Sequence, residues 1–319
     1  MKKFIQMKRL PVLFLIIISL FLLLGCIPVF EYTEGMGTKD SAAIAQETKQ
    51  FRIETQGQID QTLQSETEIP IMDLSQSPQT VCQNPDGRIE SYVLENNAIP
   101  KPIKIQVCLP PCFDEKNEGI DDYPVLYMLH GQSYDDEQWI RMGLCETAAD
   151  WILKEDIKPF LIVLPHEEYG LVSPADSFFE DALLSVVIPW IDARYQTCTT
   201  RDCRAIGGVS RGGGWAFHVG YPNWELFGAI GCHSVPPFVS DFNVLPFWFE
   251  EIPEEQLPAL YLDIGDQDRF HQETLRFHEV LEYYQVPHEW FENQGGHDED
   301  YWTAQIDAYL RWYIQLWEE

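Results

Sequence analysis

Residues Arg204 to Tyr221 read RAIGGVSRGGGWAFHVGY. A short apolar strand, Ala205 to Val209, leads into Ser210, and three glycines and a helix-compatible run follow. Gly208-Val209-Ser210-Arg211-Gly212 fits the G-x-S-x-G pattern, in which a serine sits on a strained strand-to-helix turn with its hydroxyl clear of the sheet. The glycines two before and two after the serine have a steric reason, because neighbouring backbone leaves no room for a Cβ there. The helix that follows aims its free N–H groups at the serine, so an oxyanion formed there would meet donors and a favourable dipole. The five-residue pattern alone is weak. Its context, a strand before and a helix after, gives it weight.

Working outward, short apolar runs alternate with helical patterns. Arg88 to Leu94 and Ile103 to Leu109 read as a hairpin. Pro124 to Leu129 and Pro159 to Leu164 are wholly apolar, the mark of strands buried on both faces. Further strands are expected at Phe227 to Cys232, Ala259 to Ile264 and His288 to Glu292. Helices are expected at Leu144 to Lys154, Asp176 to Tyr195, Arg269 to Tyr284 and Asp300 to Trp317. The fold class is therefore α/β: a mostly parallel sheet with helices on both faces and an N-terminal antiparallel hairpin. Ligands in such sheets bind at the carboxyl ends of the strands.

A serine hydroxyl needs a histidine to take its proton and an acid to orient that histidine. In this architecture the chain order is Ser, then Asp or Glu, then His. His297, in Asn293-Gln294-Gly295-Gly296-His297-Asp298 between the last strand and the last helix, is the expected base. The other histidines are weaker. His271, His278 and His288 sit on or beside a helix and read as a solvated face, and His218 reads as packed on the elbow helix. His233 follows the strand after the elbow and is expected to line the substrate pocket. Asp263, Asp266 and Asp268 supply the acid candidates. Asp263 belongs to the strand. Gly265 makes the turn and leaves Asp268 favoured, with Asp266 second. The oxyanion donors expected are the N–H groups of Arg211 and Gln132, in a turn shaped by His130 and Gly131, and Gly131 is expected to line the substrate pocket. Trp139, after Asp135-Asp136-Glu137-Gln138, is a candidate wall of the pocket, with a core position as the alternative. Since a histidine base must be neutral, activity is expected to fall below about pH 6.5.

From about Arg88 to the C-terminus the chain resembles the putative-esterase family of α/β-hydrolases. That group holds S-formylglutathione hydrolases, feruloyl and acetyl-xylan esterases, siderophore esterases and mycolyltransferases. The resemblance rests on Tyr123-Pro124-Val125-Leu126-Tyr127-Met128-Leu129-His130-Gly131, the elbow with Ser210, the Gly265 to Asp268 turn, and Gly295-Gly296-His297 running into Tyr301-Trp302. It implies an α/β-hydrolase fold and a Ser210–His297–Asp268 serine esterase acting through an acyl-enzyme, with no cofactor. The ester itself stays open. A non-catalytic glycan- or acyl-binding protein, or an acyltransferase with the same triad, are the alternatives. Arg211 departs from the family, which often has methionine there. A cation beside the serine would either favour an acidic acyl or leaving group or pair with a local acid.

The remaining sequence bears on place rather than chemistry. Lys2, Lys3, Lys8 and Arg9 precede an apolar run, Leu10 to Leu24, that ends in Gly25-Cys26. Residues 1–26 look like a secretory signal with a lipobox-like end, so Cys26 is expected to be lipidated. Residues 27–77 are polar and read as a flexible tether, and residues 78–319 as one catalytic domain. An exported, membrane-tethered location follows, with an ester, free or polysaccharide-linked, as partner. With 21 basic and 51 acidic residues the chain carries a formal charge of −30, which argues against nucleic acid. Cysteine usage agrees with an oxidising compartment. Cys198 with Cys203, and Cys108 with Cys112, could close local disulfides. Cys82, Cys145 and Cys232 are left, an odd set that implies a free, buried thiol. The cysteines lack zinc-site spacing, so no metal is expected.

Overall fold

The computed structural model describes residues 84, 86–113, 122–154, 156–168 and 172–318. The signal segment, Cys26 and the tether lie outside the described residues. The compact unit that holds the described residues runs from Ser77 to Glu319.

Eight strands form one sheet: β1 (Arg88–Leu94), β2 (Ile103–Leu109), β3 (Val125–Leu129), β4 (Leu161–Pro165), β5 (Arg204–Val209), β6 (Ala229–His233), β7 (Ala259–Gly265) and β8 (Glu289–Asn293). Their spatial order is β1-β2-β4-β3-β5-β6-β7-β8. β1 and β2 pair antiparallel, as do β2 and β4, and every later pair is parallel. The expected hairpin and the run of buried strands are both present.

Period-two alternation explains why the middle strands are apolar throughout. Val125, Tyr127 and Leu129 of β3 enter one core and Leu126 and Met128 the other, so both faces of the strand are covered. Eight α-helical segments surround the sheet among the described residues: α1 (Gln138–Arg141), α2 (Leu144–Leu153), α3 (Phe179–Ala182), α4 (Ile188–Arg194), α5 (Arg211–Gly220), α6 (Leu245–Glu251), α7 (His271–Tyr284) and α8 (Glu299–Glu318).

Two expectations change. The single helix expected over Asp176 to Tyr195 is broken into α3, a π-helical turn at Leu183–Val187, and α4. Pro189 lies in the first turn of α4 and has no N–H to give to the preceding turn, which accounts for the break in the regular ladder. The cysteine pairing also differs. Cys198–Cys203 forms as expected, but Cys108 bonds Cys145 rather than Cys112, tying the end of β2 to the start of α2. Cys112 is itself disulfide-bonded, and Cys232 is free and buried.

Candidate active site

The elbow between β5 and α5 has the geometry its glycines demand. Ser210 has φ 54° and ψ −128°, a strained conformation for a residue with a Cβ. A Cβ on Gly208 would lie 2.5 Å from the Gly212 carbonyl carbon, and one on Gly212 only 2.3 Å from the Leu129 oxygen. The strain is held from the neighbouring strand, because the Ser210 N–H donates to the His233 carbonyl at 2.8 Å.

Two loops from the same end of the sheet close on this serine. The β8–α8 loop brings His297 in, with Nε2 2.8 Å from the Ser210 Oγ. The β7–α7 loop brings Asp268, whose Oδ2 is 2.8 Å from the His297 Nδ1. An ionised carboxylate only accepts, so Nδ1 carries the proton and Nε2 is left to accept from the serine hydroxyl. Asp268 is held in turn by the Phe270 N–H, which donates to its Oδ1 at 2.8 Å. Phe270 and Trp302 pack edge-on against the His297 ring, with centroids 4.9 and 5.1 Å away.

Asp266, the second acid candidate, has a different task. Its Oδ1 accepts from the Gly295 N–H at 3.0 Å, and the Gln267 N–H donates to the Gly295 carbonyl at 2.9 Å. These bonds staple the acid-bearing loop to the histidine-bearing loop.

The loop after β3 lies against the serine: a Cβ on Gly131 would sit 3.6 Å from that of Ser210. The Gly131 N–H is committed to Gln138 Oε1 at 2.8 Å. The next N–H, that of Gln132, makes no hydrogen bond to the described residues. The Arg211 N–H, first in α5, has no intrahelical acceptor. His130 accepts from the Glu167 N–H at Nε2 and donates from Nδ1 to the Gly131 carbonyl, both at 2.8 Å. Burial pushes its pKa down to about 4, outweighing the hydrogen bond to Gly131 that acts the other way.

The Arg211 side chain turns to a local acid. It meets Glu167, just past β4, through two hydrogen bonds of 2.7 and 2.6 Å, and the Val172 carbonyl at 2.7 Å. Its guanidinium also lies 5.6 Å from the Trp215 ring centroid and 5.3 Å from that of Phe238. Of the two expectations for Arg211, the structure realises the local ion pair. A charge already neutralised this way adds little attraction for an acidic substrate.

Of the three expected pocket residues, Trp139 and His233 sit elsewhere. Trp139 is buried in the core, its Nε1–H donating to the Leu129 carbonyl at 3.0 Å and its ring edge-on to Tyr309. His233 is fully buried beneath the elbow. Its Nδ1 meets Asp263 Oδ1 at 2.7 Å, its Nε2 lies 2.9 Å from the Tyr313 hydroxyl, and its ring stacks on Tyr309 at 3.7 Å. Asp263 also accepts from the Tyr301 and Tyr309 hydroxyls at 2.6 and 2.9 Å, which makes it structural. Burial, reinforced by the Asp263 charge, raises the pKa of both phenols. Gly207 and Gly231 make room for this network: a Cβ on either would fall within 1.8 Å of the Tyr313 hydroxyl. His233 thus supports the serine through its backbone carbonyl rather than lining a pocket.

Gln138 and Glu167 were missed by the sequence reading. Gln138 lies seven residues beyond the glycine it holds, and Glu167 pairs across 44 residues with Arg211. Only the unusual cation at Arg211 hinted that an acid would be needed.

A strained serine at the end of a parallel strand, with histidine and acid delivered by two later strand-end loops, is the arrangement of the α/β-hydrolase fold. The family described as "Putative esterase" matches residues 96–313, and the chain belongs to it. An esterase of Mycobacterium tuberculosis is 27% identical over 190 residues, 56% of this chain and 38% of its own length. An endo-1,4-beta-xylanase/feruloyl esterase of Xylanibacter ruminicola is 26% identical over 187 residues, 54% of this chain and 25% of its own. The chain therefore spans well under half the length of these relatives. A solved ferulic acid esterase structure superposes with a TM-score of 0.61 at 23% identity, covering 72% of this chain and 99% of that one. At that identity the superposition speaks for the fold.

Proposed function

We propose that the protein is a serine carboxylic-ester hydrolase. The carrying observation is the continuous Ser210–His297–Asp268 hydrogen-bond chain at the carboxyl ends of the strands. In this reading His297 takes the Ser210 proton as Oγ attacks the ester carbonyl. The Arg211 and Gln132 N–H groups receive the oxyanion. Asp268 holds His297 in the required tautomer and stabilises its cation. His297 then protonates the departing alcohol. Water, deprotonated by the same histidine, releases the acid from the acyl-enzyme. Every step uses groups on this chain, and the chemistry calls for no cofactor.

Feruloyl or other carbohydrate-linked esters are the favoured substrate class. Support comes from the feruloyl esterase activity for which the Xylanibacter relative and the superposed structure are named. Export with a lipid tether at Cys26 completes the proposal. The disulfides at Cys108–Cys145 and Cys198–Cys203 support an oxidising compartment.

The test is covalent labelling of the full chain with a fluorophosphonate, followed by mapping of the adduct. Adduct on Ser210 that disappears in His297→Ala is expected, together with hydrolysis of methyl ferulate. A folded sample that takes no label would refute the triad and favour the ligand-binding alternative.

A further inference from the structure

We propose that His278, Glu282 and His288 form a binding site for a divalent transition-metal cation of zinc type, on the surface where α7 turns back into β8. The sequence reading had placed both histidines on a solvated face.

His278 and Glu282 stand one turn apart on α7, so their side chains leave the same face. The helix stops at Gln285 in a left-handed conformation, φ 58°. The chain then doubles back, and His288 meets the helix face just before β8. The three ligand atoms lie within 4.8 Å of one another. His278 Nδ1 is 2.8 Å from His288 Nε2, and Glu282 Oε1 is 4.0 Å from the same Nε2.

The orientation of each ring is fixed from behind. His288 Nδ1 donates to the Val286 carbonyl at 2.8 Å, which leaves the lone pair on Nε2 facing the cluster. A backbone carbonyl on the far nitrogen is a usual support of a metal-bound histidine. The His278 ring lies flat on Trp290, with centroids 4.6 Å apart and planes 9° apart. The His288 side chain is 2% exposed and that of Glu282 68%. The imidazoles thus make the floor of the site, the carboxylate closes it from the solvent side, and water can fill a fourth position.

The donor set selects the ion. Two imidazoles and one carboxylate suit zinc or copper, whereas calcium and magnesium take oxygen ligands. Metal–nitrogen bonds of about 2.1 Å at tetrahedral angles need nitrogens roughly 3.4 Å apart. The present pair must open by about half an ångström, and the proton between the rings must move from His278 Nδ1 to its other nitrogen. Both imidazoles stay neutral, so the change is a tautomer exchange with no net proton released. The strongly acidic chain draws cations toward the surface.

A bound ion would tie α7 to β8. Asp268 enters α7 and His297 leaves β8, so the clamp would join the elements that present the acid and the base. The proposal does not depend on catalysis, and its readouts are binding and stability.

The test uses the full chain, stripped with chelator and dialysed against zinc chloride at micromolar free ion, with cobalt as a spectroscopic probe. One retained zinc per chain, a melting temperature that rises with zinc, and the visible bands of tetrahedral cobalt are expected. Glu282→Gln, at an exposed position, and His278→Ala should each weaken zinc binding and abolish the rise, the latter by more than the roughly 10–100-fold that losing a ligand's outer support costs. His297→Ala, which removes the histidine of the serine site, should leave binding unchanged. Zinc retained equally by His278→Ala and Glu282→Gln, zinc lost in His297→Ala, or no zinc retained by the parent chain would each overturn the proposal.

Discussion

Replacing Glu167 by glutamine separates charge from shape at the residue next to the nucleophile. The Glu167 side chain is 3% exposed and that of Arg211 11%, so the pair is shielded from water. Glutamine keeps the volume and one acceptor but strands the guanidinium with the Val172 carbonyl and two aromatic rings. Breaking a buried pair from one side costs about 3–5 kcal/mol, because the remaining charge stays buried without compensation. For a domain of this size each kcal/mol moves the melting temperature by about 2–4 °C, so a fall of roughly 6–20 °C is expected. Arg211 is also the first residue of α5, and in the proposed mechanism its N–H meets the oxyanion. A side chain released from Glu167 no longer fixes that turn, so kcat should fall with KM little changed. The companion is the double replacement Glu167→Met with Arg211→Met, which removes both charges and keeps apolar bulk. It should recover most of the stability, since paired removal is often neutral or stabilising. Melting curves and urea titrations of the parent, Glu167→Met, Arg211→Met and the double variant give the coupling energy directly. A Glu167→Gln midpoint within about 2 °C of the parent, or a double variant as unstable as the sum of the singles, would refute the reasoning.

Gln138→Leu should remove the only acceptor that the Gly131 N–H has among the described residues, at a cost of about 1–3 kcal/mol, and lower kcat through the loop carrying the Gln132 N–H; unchanged stability and turnover would show that the loop holds itself. Stability should decline on both sides of neutrality, for two histidines with opposite shifts. Burial depresses His130 to about 4, so its contribution is complete above about pH 6.5 and is lost, by roughly 3 kcal/mol, as pH falls toward 4. Burial would also lower His218, but its bonds to Asp241 and Glu180 prevail and raise it to about 9. Its contribution is therefore complete below about pH 6.5 and is lost as pH climbs through 9. Urea midpoints across this range should show a smaller alkaline decline in His218→Gln than in the parent, and equal declines would discard the assignment.

The relation of sequence to site is clearest at the elbow. Ser210, Gly208 and Gly212 could be read directly because the strained serine, its two glycines and its helix are consecutive in the chain, although the Gly212 clash is with Leu129 of a neighbouring strand. His297 and Asp268 were legible one step further out, since a parallel sheet delivers the loops after successive strands to one end. The choice of Asp268 over Asp266 was decided by the fold, which uses Asp266 to bind the Gly295 N–H. His233 was misplaced because a position at a strand end says nothing about direction, and it turns inward to Asp263; for Trp139 the fold realises the core alternative, its indole turned to the Leu129 carbonyl.

What the sequence determined, then, was whatever rests on periodicity, turn chemistry and chain order: eight strands, an α/β layering, a serine on a tight turn, and an acid and a histidine after it in that order. Tertiary structure alone decided the pairings between distant positions. Cys108 with Cys145, Glu167 with Arg211, Gln138 with Gly131, and His278 with His288 bring together chemistry that is unremarkable in each residue alone. Periodicity fixes which face a side chain leaves from. Only the packing of one element on another fixes what it meets there.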